Sequence, residues 1–221
     1  FGSFSPRRSY AAGSEGPSEL VGGDLDGDGA LDLIAAGNTS SAFSVLLGIG
    51  DLSFRAVEHL RRPDLNFKPL LADFTGDAID DLASYATFDT PTTFRIAAGL
   101  GDGRFGAAQL VDLPSPAPLL PRDVDADGDL DILGVGNGGN RYCKLNHGDG
   151  TFADAIFSDL IDLNGNFQTA DIDNDGNMDV LWTDAIQSNL PFYIRISLGD
   201  GQGHFAPYQE IVTPPFLGAV W

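Results

Sequence analysis

Apolar residues along this chain come in short runs broken by stretches rich in Asp and Gly. One run precedes each Asp-rich stretch: Leu20-Val21, Leu70 to Ala72, Leu119-Leu120, and Phe167 to Ala170. A second follows it: Leu33 to Ala35, Leu82-Ala83, Ile132-Leu133, and Val180 to Trp182. A third run alternates. Its aligned columns read Ser44, Arg95, Tyr142 and Arg195, then Val45, Ile96, Cys143 and Ile196, the period of a half-buried strand. A fourth follows a Gly-rich turn, over 54–60 and 105–113. The pattern predicts four short strands per unit and no helix of useful length.

Two linked motifs set the period. Asp24-Leu-Asp-Gly-Asp-Gly-Ala-Leu-Asp32 returns as Asp123-Val-Asp-Ala-Asp-Gly-Asp-Leu-Asp131 and Asp171-Ile-Asp-Asn-Asp-Gly-Asn-Met-Asp179. A weaker copy, Asp73-Phe-Thr-Gly-Asp-Ala-Ile-Asp-Asp81, lies between the first two, and the four starts are 49, 50 and 48 residues apart. The second motif keeps the same beat: Leu47-Gly-Ile-Gly-Asp-Leu-Ser-Phe54, then copies ending at Phe105, Phe152 and Phe205. Units of this length with four strands predict an all-β propeller of four-stranded antiparallel blades. Four full repeats run over roughly 5–54, 55–105, 106–152 and 153–205, and 206–221 begins a further blade.

These motifs resemble the FG-GAP/VCBS repeat family, the calcium-loop propeller blades also seen in integrin α-chain heads. The resemblance spans essentially the whole chain. No Gly-Ala-Pro follows the second strand, where the first repeat has Ala35-Ala36-Gly37, which favours the bacterial-style VCBS variety. It implies a β-propeller on a secreted or cell-surface protein, and it implies no single activity.

Composition narrows the chemistry. There are 12 basic and 32 acidic residues, a formal charge of −20, which speaks against nucleic acid or an anionic membrane as partner. No apolar stretch reaches the length of a membrane-spanning helix. Asp supplies nearly all the acid, since Glu occurs only at Glu15, Glu19, Glu58 and Glu210. The single Cys143 excludes an internal disulfide.

Within each Asp loop, positions 1, 3, 5 and 9 place four side chains around one point, and the carbonyl of position 7 adds an oxygen. Hard oxygen donors in that number suit Ca²⁺. The expected ligands are Asp24, Asp26, Asp28, Ala30 and Asp32; Asp123, Asp125, Asp127, Asp129 and Asp131; and Asp171, Asp173, Asp175, Asn177 and Asp179. The weaker loop offers Asp73, Thr75, Asp77, Ile79 and Asp81 and is read as a degenerate site. Gly29, Gly128 and Gly176 at position 6 permit the tight turn. An EF-hand requires Glu at position 12 and flanking helices, whereas position 12 here is Ala35, Ser84, Gly134 and Trp182. Solvated turns without a cation would leave 17 acids crowded into four short windows, and four bound ions would bring the charge from −20 to −12. The ions are read as structural.

Other chemistry is sparse. Cys143 sits in an apolar column and reads as core. His59, His147 and His204 share no metal-ligand spacing. No nucleophile elbow, phosphate loop or zinc pattern occurs. Arg95 and Arg195 are read as partners for surface acid, Asn38-Thr39-Ser40 matches a glycosylation acceptor, and Phe54, Phe105, Phe152 and Phe205 are expected in the core. Two functions follow: a calcium-stabilised module recognising a glycan or protein, or a carbohydrate-active lyase or hydrolase on a propeller. The absence of paired carboxylates outside the loops favours recognition. Variable loops on the face opposite the calcium loops are the expected partner surface, with Tyr85, Phe88, Phe67, Asn140 and Asn189 near a ligand. The register of Phe4 with the turn phenylalanines, and of 216–221 with a first strand, predicts a segment of a larger propeller or head-to-tail association.

Overall fold

The computed structural model describes residues 9–10, 17–37, 42–51, 53–62, 65, 68–85, 94–115, 120–136, 140–158, 167–183 and 193–212. These form four antiparallel sheets, each with its strands in chain order. The first holds β1 (Pro17–Gly23), β2 (Asp32–Gly37), β3 (Ala42–Gly48) and β4 (Phe54–Arg61). The second holds β5 (Lys68–Ala72), β6 (Asp81–Tyr85), β7 (Phe94–Ala97) and β8 (Gln109–Val111). The third is β9 (Leu120–Arg122), β10 (Asp131–Val135), β11 (Arg141–Lys144) and β12 (Ile156–Ser158). The fourth is β13 (Phe167–Ala170), β14 (Asp179–Thr183), β15 (Tyr193–Ser197) and β16 (Gln209–Val212). Among the described residues there is no helix, as the apolar pattern predicts.

Each sheet turns from its first strand to its second through an Asp loop, and from its third to its fourth through a Gly-rich turn. In β7 the alternation extends to burial, with Arg95 half-buried between buried Phe94 and Ile96, but in β3 and β11 it does not. Every residue of Arg141–Lys144 is buried, and so is every residue of 43–48. In these two strands the polar column, Ser44 and Tyr142, stays covered because its members find partners. Ser44 is buried, and the Tyr142 hydroxyl donates to the Ser115 carbonyl at 3.0 Å. A buried hydroxyl with an acceptor is tolerable where an unpaired one is not.

In the first sheet β4 starts at Phe54 as the apolar pattern suggests, but in the other three sheets the fourth strand begins later. Phe105, Phe152 and Phe205 each make an isolated bridge, to Gly99, Asn146 and Gly199, and the strands resume at Gln109, Ile156 and Gln209. Between them lie Gly106-Ala107-Ala108, Ala153-Asp154-Ala155 and Ala206-Pro207-Tyr208, residues mostly poor in strand propensity. The same phenylalanines are half-buried rather than fully enclosed. Phe105 and Phe205 pack against the cores, Phe152 stands edge-on to Phe74 at 6.2 Å, and Phe54 to Tyr10 at 5.4 Å.

The chain packs as two compact units, Phe1–Asp73 with Asp77–Val111, and Phe74–Gly76 with Asp112–Trp221. In the first, Leu25, Ile34, Phe43, Val45 and Leu47 share one core with Leu82 and Ala97. In the second, Val124, Leu133 and Cys143 pack against Phe167, Val180 and Trp182. In both, the second residue of an Asp loop (Leu25, Val124) is a core residue. These loops, and the one at Asp73 through buried Phe74, are therefore pinned from beneath by buried apolar surface, whereas Ile172 at the same place of the fourth loop is exposed.

Candidate metal centre

The four Asp loops share one backbone design. The carboxylate at position 1 accepts the N–H of position 6, from Gly29 to Asp24 (3.0 Å), Ala78 to Asp73 (2.8 Å), Gly128 to Asp123 (3.1 Å) and Gly176 to Asp171 (3.1 Å). Position 5 accepts the N–H of position 7, at 2.7–2.9 Å in all four. These are turns closed by Asp side chains. The degenerate loop keeps the design with Thr75 at position 3, so the fold of the loop does not depend on the missing acid.

Two positions in each loop, not one, are left-handed. Position 6 has positive φ at Gly29, Ala78, Gly128 and Gly176, and position 4 has it at Gly27, Gly76, Ala126 and Asn174. Ala78 at φ 65° carries a Cβ in a region that suits glycine. Ala78→Gly should therefore raise stability by about 0.5–1 kcal/mol despite the added freedom of the unfolded chain. Urea denaturation checks this, and a lower midpoint would contradict it.

Position 9 does something the sequence reading did not foresee. Asp32, Asp81, Asp131 and Asp179 are fully buried. Asp32 accepts the N–H of Leu25 at 2.7 Å and of Gly48 at 2.6 Å. Asp131 accepts those of Val124 (2.7 Å) and Asn146 (2.8 Å), and Asp179 those of Ile172 (2.8 Å) and Gly199 (2.9 Å). Asp81 takes the N–H of Gly99 at 2.9 Å. One carboxylate thus ties the Asp loop to the head of the Gly-rich turn, which is why the two motifs travel together. The approach is close. A Cβ on Gly199 would sit 2.2 Å from the Met178 carbonyl, and one on Gly48 2.4 Å from that of Leu31.

Three loops gather acid oxygens. Asp24, Asp26 and Asp32; Asp123, Asp125 and Asp127; and Asp171, Asp173 and Asp179 each bring one carboxylate oxygen within 4.8 Å of the others. Asp28, Asp131 and Asp175 stand outside these triads. Among the described residues, Asp73, Asp77 and Asp81 form no such group. Burial is the main force raising the pKa of Asp32, Asp125 and Asp173, with neighbouring carboxylates adding to it. Asp131 is pushed up to about 6, chiefly by burial. Arg55, 3.1 Å from Asp26, relieves the first triad in part.

These residues fit a hard cation. The donors are all oxygen, their mutual repulsion calls for positive charge, and Asp123 Oδ1 is buried without a hydrogen-bond partner. A bound cation would satisfy that oxygen.

Other candidates fall into place differently. Cys143 is buried, and burial pushes its thiol pKa up, consistent with a core residue. His147 is exposed, His204 lies 3.2 Å from Asp200, and His59 lies within β4. Arg195 pairs with Glu210 at 2.9 Å and lies 4.7 Å from the Tyr208 ring centroid, in keeping with partnering acid. Asn140 is exposed, Tyr85 ends β6, and Phe67, Phe88 and Asn189 lie outside the described residues, as do Asn38 to Ser40, Phe4 and 216–221. The sequence reading passed over Arg141, a buried guanidinium.

No curated protein matches the chain by sequence. A solved structure similar in fold is that of an Agrocybe aegerita lectin, described for specific recognition of non-reducing terminal N-acetylglucosamine; it shares 23% identity and a TM-score of 0.66. The likeness covers 86% of this chain but only 51% of that one, so the chain spans about half its length. The FG-GAP-like repeat matches residues 24–84 and 123–182, more than half of the chain; the first span carries the intact loop at Asp24 and the degenerate loop at Asp73, and the second carries the intact loops at Asp123 and Asp171. The chain belongs to the FG-GAP-like repeat family.

Proposed function

We propose that this chain is a calcium-stabilised recognition module of β-propeller architecture, belonging to a secreted or cell-surface protein and binding a glycan. The observation that carries the reading is the likeness of fold, over 86% of the chain, to a lectin that recognises terminal N-acetylglucosamine. Membership of the FG-GAP-like repeat family supports the propeller, and four chain-ordered, four-stranded sheets are what its blades would be. The three acid triads support three calcium sites, with the carbonyls of Ala30, Asp129 and Asn177 completing them and the loop at Asp73 degenerate.

Calcium in this reading acts on the scaffold. It holds the Asp loops, and through the position-9 carboxylates the Gly-rich turns, leaving the opposite loops free to vary and to bind. A glycan array probed with calcium-loaded protein should show binding to a defined subset of glycans, lost with chelator. Folded, calcium-loaded protein that binds no glycan on the array would contradict it.

A further inference from the structure

Asp80 is the eighth residue of the degenerate loop, where the other three loops carry Leu31, Leu130 and Met178. Those side chains bring no oxygen. Asp80 does, and its Oδ2 accepts the N–H of Asp24 at 3.0 Å, from 56 positions away in the chain. The Asp80 N–H in turn donates to the Asp24 carbonyl at 3.3 Å. The loop of the second sheet thus clasps the first residue of the loop of the first sheet, inside one compact unit.

The residue before Asp24 is matched to this contact. It is Gly23, whereas Ala72, Arg122 and Ala170 precede the first aspartate of the other loops. A Cβ on Gly23 would overlap the Asp80 carboxylate. Glycine here serves a close approach, and the other copies show that the strand end itself accepts a side chain.

Asp24 belongs to the first acid triad, with Asp26 and Asp32. Its carboxylate accepts the N–H groups of Gly27 at 2.8 Å and Gly29 at 3.0 Å, both of which belong to the loop itself. The ladder between β1 and β2 ends at Gly23 and Asp32, one residue short of Asp24. Asp80 supplies the hold that the ladder no longer gives. Outer partners of this kind orient a ligand, and an ordered ligand loses less freedom when the ion binds.

The geometry points to Asp80 as a positioning residue for the metal centre at Asp24: a loop that gathers no acid triad among the described residues orients the first ligand of its neighbour's. This rests on the calcium reading and adds to it a residue outside the ligand set.

The test is calorimetric titration with calcium in an Asp125→Ala, Asp173→Ala parent, which keeps the centre at Asp24 alone of the three. Asp80→Leu, which installs the residue of two other loops, should weaken binding about tenfold. Asp80→Asn keeps an acceptor oxygen and should stay within about threefold of the parent. Gly23→Ala should weaken binding as well, and adding it to Asp80→Leu should weaken it no further, because both remove one contact. In the otherwise wild-type chain, Asp80→Leu should release one ion at a calcium concentration where the others stay bound.

If Asp80→Leu binds calcium as tightly as the parent, or lowers the melting temperature equally with calcium and with chelator at unchanged affinity, Asp80 is structural and the proposal falls. If Asp80→Asn is as weak as Asp80→Leu, Asp80 acts as a charge and its positioning role falls. In each case the calcium reading stands. A wild-type chain that binds no calcium would end both.

Discussion

Asp131→Ala should cost about 3–5 kcal/mol, because it leaves the buried N–H groups of Val124 and Asn146 without their acceptor. For a chain of this size that is a fall in Tm on the order of 10 °C. The informative partner is Asp81→Ala. Its loop gathers no acid triad among the described residues, yet Asp81 is fully buried and holds Gly99 at 2.9 Å. Its loss should cost about 2–3 kcal/mol, and as much with calcium present as absent. Asp77→Ala, at the exposed position 5 of the same loop, should cost under about 1 kcal/mol. Urea denaturation separates the three. An Asp81→Ala protein as stable as wild type would mean that position 9 serves the metal alone.

Removing calcium should rank next. At millimolar calcium, binding to the folded state stabilises by about 1–2 kcal/mol per site for affinities typical of extracellular modules. Three sites together give about 3–6 kcal/mol, again a Tm change on the order of 10 °C. Protons compete with the ion. Asp131, pushed up to about 6, holds its proton more tightly folded than unfolded, so its contribution to the metal-free chain is present below about pH 4 and lost as pH rises through about 6. Calcium acts in the opposite sense, by favouring ionised carboxylates. The calcium-induced rise in Tm should therefore be full at pH 7.5 and shrink toward pH 5. Differential scanning calorimetry with calcium and with chelator checks both points, and a Tm indifferent to chelator at pH 7.5 would contradict them.

Much of this architecture is legible in the sequence because it repeats. Four copies of the Asp loop and of the Gly-rich turn locate the strands, and a core role for Cys143 follows from its column of Val45, Ile96 and Ile196. The left-handed turn at position 4 is not legible, since its occupants Gly27, Gly76, Ala126 and Asn174 share no side chain. The double role of position 9 is hidden for another reason. A ligand and a backbone acceptor are the same carboxylate, and only the persistence of Asp81 in a loop with Thr75 at position 3 hints at the second task. Arg141 is hidden by its neighbours. The eye follows the charged column of Arg95 and Arg195, and Arg141 stands one residue away, in the column of Phe43 and Phe94. The burial of β11 is not legible in the alternating pattern because the acceptor of the Tyr142 hydroxyl, the Ser115 carbonyl, lies 27 positions away.

The number of calcium ions held by the three acid triads can be counted. Equilibrium dialysis against calcium at pH 7.5 should give three ions per chain for wild type, two for Asp125→Ala and two for Asp173→Ala, with Asp77→Ala keeping three. A wild-type chain that binds no calcium at millimolar concentration, or an Asp125→Ala chain that binds as many ions as wild type, would contradict that count.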